Sequence, residues 1–153
     1  MSDFPFSITR TGNTAKPIFT LSFSQRVANG GQDGLMRLIP SLGSEQNIFF
    51  VNVPFTYKII GMSLSLDGDS GGNKDYEFQL RRRPKDSATT TEADLTAVGD
   101  IIAFDDVLKS TSRSALFTDP QTITSENDIG LRVDSNASGL SPEYGVILYC
   151  QLI

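Results

Sequence analysis

Apolar and polar residues alternate along much of this chain. Phe19, Leu21 and Phe23 are interleaved with Thr20 and Ser22, and Ile60, Met62, Leu64 and Leu66 with Gly61, Ser63 and Ser65. Tyr76, Phe78 and Leu80 alternate with Glu77, Gln79 and Arg81, and Ile129, Leu131 and Val133 with Gly130 and Arg132. A period of two is the spacing of one face of a β-strand, so each segment should turn one face to a core and the other to water. Further strands are expected at 35–39, 48–53, 101–104, 113–117 and 145–153. Clusters of Gly, Asn, Asp, Ser and Pro at 29–34, 67–75 and 136–142 mark turns between them. Eight or nine short strands predict an all-β fold, a β-sandwich with a jelly roll favoured.

Three segments depart from this alternation. Residues 1–16 are polar and carry Pro5 and Gly12, and read as an extended N-terminal arm ahead of a single domain at 17–153. Within the arm Phe4, Phe6 and Ile8 alternate with Pro5 and Ser7. An extended arm with one apolar edge has two uses: docking on a partner, or serving as the first strand of its own sandwich. Residues 84–96, rich in Thr, Asp and Ser, read as a long exposed loop in which Thr91-Glu-Ala-Asp94 has the spacing of a capping box and a single helical turn. In the last strand Val146, Leu148, Cys150 and Leu152 line one face, and Ile147, Tyr149 and Ile153 the other. A strand apolar on both faces is expected to be central in its sheet or covered on its second side.

With 39% hydrophobic and 20% charged residues over 153 positions, the chain has enough apolar material for one core. The formal net charge is −5 and the pI about 4.6, an acidic balance that disfavours nucleic acid and anionic membranes as partners. The first residues lack a basic and an apolar region, so no signal peptide is expected. Cys150, the single cysteine, reads as a buried thiol in a protein made in a reducing compartment such as the host cytoplasm. The chain has no His, which removes the commonest general base, the Ser-His and Cys-His nucleophile pairs and most zinc sites. It has no Trp, which weakens a sugar-stacking reading.

The motifs are correspondingly thin. Gly68-Asp-Ser-Gly-Gly72 matches the nucleophile segment of chymotrypsin-like proteases, but that mechanism needs an imidazole, so the segment is read as a turn. Asp67, Asp69, Asn73 and Asp75 are spaced like calcium-loop oxygens, yet Gly71 replaces one ligand, Phe78 stands where the bidentate Glu belongs, and Lys74 opposes the charge. No metal or cofactor site is therefore expected. Asp105 and Asp106 diverge on a strand and read as solvated surface. Arg81, Arg82 and Arg83 form a basic run whose alternate side chains point to opposite faces, and guanidinium groups suit carboxylates within the fold or across a subunit contact. The candidate interface residues are thus Phe4, Phe6 and Ile8 of the arm, Arg81, Arg82 and Arg83 on a sheet edge, and Ile147, Tyr149 and Ile153 of the last strand.

From residue 51 onward the order of segments resembles the jelly-roll domains of tailed-bacteriophage virion proteins, including capsid decoration (cement) proteins and parts of head and tail fibres. The resemblance is carried by 53–66 (VPFTYKIIGMSLSL), by 76–82 (YEFQLRR) after a Gly-rich turn, by 125–134 (SENDIGLRVD) and by the apolar closing strand at 144–153. It implies a non-enzymatic virion protein, a symmetric oligomer and often a homotrimer, clamped onto a major capsid protein or another virion protein. It implies no catalytic residues. A fibre or receptor-binding sandwich and a carbohydrate-binding module are the alternatives, with a hydrolase built on carboxylates, Ser, Lys and Tyr a distant third.

Overall fold

The computed structural model describes residues 16–26, 32–38, 49–67, 74–89, 91, 94–107, 111–135 and 143–153. Ten strands follow one another: β1 (Ile18–Arg26), β2 (Gln32–Leu35), β3 (Arg37–Leu38), β4 (Val51–Asn52), β5 (Tyr57–Asp67), β6 (Lys74–Pro84), β7 (Thr96–Val107), β8 (Ser112–Ile123), β9 (Asn127–Ser135) and β10 (Glu143–Leu152). The tenth strand arises because the segment expected at 35–39 contributes to both β2 and β3, and β4 is a two-residue part of the strand expected at 48–53.

The strands form two antiparallel sheets. Sheet A has the order β3-β1-β10-β5-β8 and sheet B the order β2-β9-β6-β7, with β4 pairing with β9. With the two short pieces β3 and β4 set aside, the first long strand pairs with the last (β1 with β10), the second with the seventh (β2 with β9), the third with the sixth (β5 with β8), and the fourth with the fifth (β6 with β7). A ribbon folded in half and wrapped around a core gives this nesting, which is the jelly roll.

Alternation sets the register. Phe23, Val146 and Leu64 lie side by side on the inner face of sheet A, as do Leu148 and Met62, and all are fully buried. Tyr76, Phe78, Leu80, Leu131 and Val133 supply the facing layer from sheet B. Each buried side chain of this size contributes roughly 1.5–3 kcal/mol, so a slip by one residue would forfeit the whole layer.

Four local departures from the simple pattern have physical causes. In β5 the expected inward set began at Ile60, but a bulge there leaves Ile60 half-buried and turns Ile59 into the core. The single strand expected at 35–39 is two, β2 in sheet B and β3 in sheet A. Met36 at the crossing is fully buried and donates its N–H to the Leu131 carbonyl at 2.7 Å. Strand β8 runs past the expected 117 through Pro120, which an edge strand tolerates. The segment after β6 carries an isolated turn, with the Asp94 N–H on the Thr91 carbonyl at 3.0 Å.

Candidate interaction surface

The outer faces of the two sheets differ in kind. On sheet A the pairing aligns five rows: Arg26, Glu143 and Asp67; Arg37, Ser24, Gly145, Ser65 and Ser112; Ser22, Ile147, Ser63 and Ser114; Thr20, Tyr149, Gly61 and Leu116; and Ile18, Gln151, Lys58 and Thr122. Four of the charged positions, Arg26, Glu143, Asp67 and Arg37, lie in the first two rows, and the last three rows hold one charge, Lys58, in twelve positions. Hydroxyls pair within the face: Ser63 Oγ lies 2.8 Å from the Tyr149 hydroxyl, and Ser65 Oγ 2.9 Å from Ser112 Oγ. Their mutual hydrogen bonds lower the cost of removing them from water. Apolar side chains stand among them, with Ile147 37% and Leu116 80% exposed. Leu116 lies opposite Gly61, where a Cβ would come within 2.7 Å of the Ala115 carbonyl oxygen and 3.2 Å of the Leu116 side chain.

Sheet B turns the opposite chemistry outward. On β6 and β9 the outward positions are Glu77, Gln79, Arg81 and Arg83 against Asp134, Arg132, Gly130 and Asp128, six charged among eight. Most of these charges are engaged within the chain. Arg83 Nε donates to Asp128 Oδ2 at 3.0 Å, its Nη1 donates to the Thr89 carbonyl at 2.7 Å, and its guanidinium lies 4.1 Å from the centre of the Phe50 ring. Phe50 in turn packs onto Gly130, where an added Cβ would stand 2.7 Å from its ring. Arg132 reaches Asp134 at 3.5 Å.

The expected interface residues are therefore not brought together. Ile147 and Tyr149 sit at the middle of the outer face of sheet A, because β10 is a central strand with one apolar face in the core. Ile153, 57% exposed, lies just past its end. The expectation that Arg81, Arg82 and Arg83 occupy an edge is corrected: β6 is hydrogen-bonded on both sides, to β9 and to β7. Arg81 and Arg83 share the outer face of sheet B, whereas Arg82 takes the other face near the strand's end and is exposed. Phe4, Phe6 and Ile8 lie outside the described residues, as does the segment at 68–73 that carries the Gly-Asp-Ser-Gly-Gly and two of the four calcium-like positions, Asp69 and Asn73.

The Cys150 thiol and the side chains of Tyr57 and Tyr76 are buried. Burial pushes the Cys150 thiol up to about 12, and the phenol of Tyr76 likewise to about 12. Burial, with Cys150 nearby, raises Tyr57 further still. Asp105 and Asp106 are exposed, and Arg113 donates to their backbone carbonyls at 2.6 and 3.2 Å rather than to their carboxylates. Among the described residues no three His, Cys, Asp or Glu side chains are grouped to hold a metal ion. The feature that sequence reading missed is the charge-poor patch as a whole. Its Ser and Thr positions were legible as polar strand faces, but their adjacency is a property of the pairing.

No protein-family model and no curated protein matches the chain. A solved structure from Desmodium yellow mottle tymovirus is similar over 99% of this chain and 95% of its own, at 10% identity and a TM-score of 0.30.

Proposed function

We propose that the protein is a non-enzymatic virion structural protein, a capsid decoration (cement) protein of a tailed bacteriophage. In this reading it is made in the host cytoplasm, assembles as a homo-oligomer and most simply a homotrimer, and binds the major capsid protein or another virion protein. The segment order described above supports the phage assignment. The observation that carries an assembly role is the middle of the outer face of sheet A, where three successive rows hold one charge in twelve positions, beside six charges in eight outward positions on β6 and β9 of sheet B.

A contact between copies favours such a face. Interface cores are depleted of charged residues, because each buried charge needs a partner or a large desolvation cost must be met. Small side chains let a second surface approach the sheet closely, and Ile147 and Leu116 supply apolar anchors. From strand and residue spacings the patch covers roughly 500 Å², against about 800 Å² per partner in a standard interface. It therefore forms the centre of a contact whose rim comes from the flanking strand β3 and the two ends of the sheet.

Binding to phage particles tests the function itself. The purified protein, mixed with heads and with tails separately, should sediment with heads alone. Sedimentation with tails supports the fibre reading instead, and sedimentation with neither contradicts the proposal. A glycan array should be blank. Among the described residues Phe55 is the single exposed aromatic ring, a poor platform for sugar stacking.

A further inference from the structure

The two long sides of the sandwich differ in charge. One side is made by β8 and β7, the edge strands of sheets A and B. Residues 98–107 and 112–121 hold Asp100, Asp105, Asp106 and Asp119 against one basic residue, Arg113, and all five are exposed. Arg113 donates to the Asp105 and Asp106 carbonyls, so it does not neutralise their carboxylates directly. On the opposite side sheet A presents β1, flanked by β3. Residues 16–26 and 37–38 hold no acidic residue there, and Lys16 and Arg37 stand near the two ends of β1.

The apolar features of the two sides are complementary as well. On the β7–β8 side both ladders bulge at the same place: residues 99–101 stand against Gln79 alone, and residues 117–120 against Ile60 alone. Such bulges discourage edge-to-edge strand pairing, so this side offers a neighbour side chains instead of a strand. Leu116 and Ile101 stand out from it, 80% and 51% exposed. The β1 side carries an apolar groove of about 210 Å³, walled by Ile18, Leu21, Val53, Phe55 and Leu152. That volume has room for an aliphatic side chain. Phe55 and Ile18, 56% and 44% exposed, form its lip.

Strand register sets these features at matching heights. Arg37 lies in one row with Ser24, Gly145, Ser65 and Ser112. Arg113, the next residue after Ser112, holds Asp105 and Asp106 at that height. Leu116 shares a row with Thr20, between Phe19 and Leu21 of the groove. Asp119 falls between Leu116 and Thr122, whose row begins at Ile18, two residues from Lys16. Rotation about an axis parallel to the strands leaves every height unchanged. It therefore carries acid to base and Leu116 to the groove with no rise along the axis, the condition for a closed ring and not an open filament.

We propose that Leu116 of a second copy occupies the groove, with that copy's Asp119 facing Lys16 and its Asp105 and Asp106 facing Arg37. Three such contacts close the ring, each joining the β8 side of one copy to the β1 side of the next. The inference rests on the homotrimer proposed above and names the surfaces that meet in it, with Ile147 turned toward the three-fold axis. Charge selects this pairing over a two-fold one. The β7–β8 side set against itself would oppose carboxylates to carboxylates, a repulsion that suppresses the wrong partner more than it alters affinity for the right one.

Crosslinking the full-length chain with a short bis-maleimide tests the arrangement. Leu116→Cys with Ile18→Cys in one chain should give a covalent trimer. Either cysteine alone should give none, and the unmodified chain, with Cys150 buried, is the blank. Dimers from Leu116→Cys alone would mean a two-fold contact and overturn the inference, as would no crosslink in the double variant or a ladder running past the trimer. Charge reversal gives a second reading at exposed positions. Asp119→Lys and Lys16→Asp should each raise the trimer's dissociation constant roughly tenfold, and the two together should restore it to within about threefold. A double variant no better than the singles contradicts the pairing. An unmodified chain that is monomeric removes the homotrimer itself, whereas a trimer that Ile147→Glu dissociates but these changes leave intact removes this inference alone.

Discussion

Replacing Arg83 with Met removes the centre of a cluster that joins β6, β9, Phe50 and the segment after β6. The pair with Asp128 is largely out of water, the two side chains being 16% and 11% exposed. Removing one partner of such a pair leaves a carboxylate with little solvation, at a cost of about 3–5 kcal/mol when burial is complete. The residual exposure puts the expectation at the lower end. The Thr89 carbonyl also loses its donor and Phe50 its cation, the latter about 1 kcal/mol, but these terms overlap and do not sum. A total near 3–4 kcal/mol, at roughly 2–4 °C per kcal/mol for a chain of this size, predicts that Arg83→Met melts about 6–16 °C lower. Thermal and urea unfolding measure it, and Asp128→Asn with the double variant closes the cycle, with an expected coupling of about 1–3 kcal/mol. A loss below about 1 kcal/mol with no coupling would make this an ordinary surface pair and refute the reasoning. Unchanged melting with a fall in oligomer mass would instead assign Arg83 to a subunit contact.

Three further outcomes follow from the burial pattern. Cys150 and Tyr76 hold their protons in the folded state to about pH 12, against 9.0 and 10.0 for the free groups, so the unfolded chain releases them first. Stability should therefore be level below pH 9 and fall between pH 9 and 12, and at pH 8 a thiol reagent should label Cys150 only as fast as the chain unfolds; rapid native labelling would contradict its burial. Deleting residues 1–16 should leave a cooperatively folding domain that no longer sediments with phage heads, and a truncated chain that still binds them would place the docking surface elsewhere. Melting temperature should be the same in excess calcium and in chelator, and a rise of several degrees with calcium would reopen the loop at 67–75 as a site.

The fold was legible where alternation was long. Segments such as 62–66, 76–80 and 129–133 declare their inward faces residue by residue, and their turn-rich boundaries locate the strand ends. Period two is blind to what interrupts it. The bulge at Ile60 moved the inward set by one position, and Met36 hides a change of sheet inside what reads as one strand. The surface was legible only in part. Ile147 and Tyr149 stand out in sequence because a second apolar face on a terminal strand is unusual. Ser22, Ser63 and Ser114, each unremarkable alone, form one row because strands far apart in the chain are neighbours in sheet A. The arginines misled for the same reason, since Arg83 spends its charge on Asp128, 45 residues away.

The central claim is that copies of this chain meet through the outer face of sheet A, and solution mass tests it most directly. Light scattering at micromolar concentration should give an oligomer of the unmodified chain, about 50 kDa for a trimer of 16.7 kDa chains. Ile147→Glu, which places a charge in the charge-poor middle of that face without touching the core, should leave a folded protein with the mass of a single chain. An unmodified chain that is monomeric, or an Ile147→Glu variant that keeps the oligomer, would contradict the account.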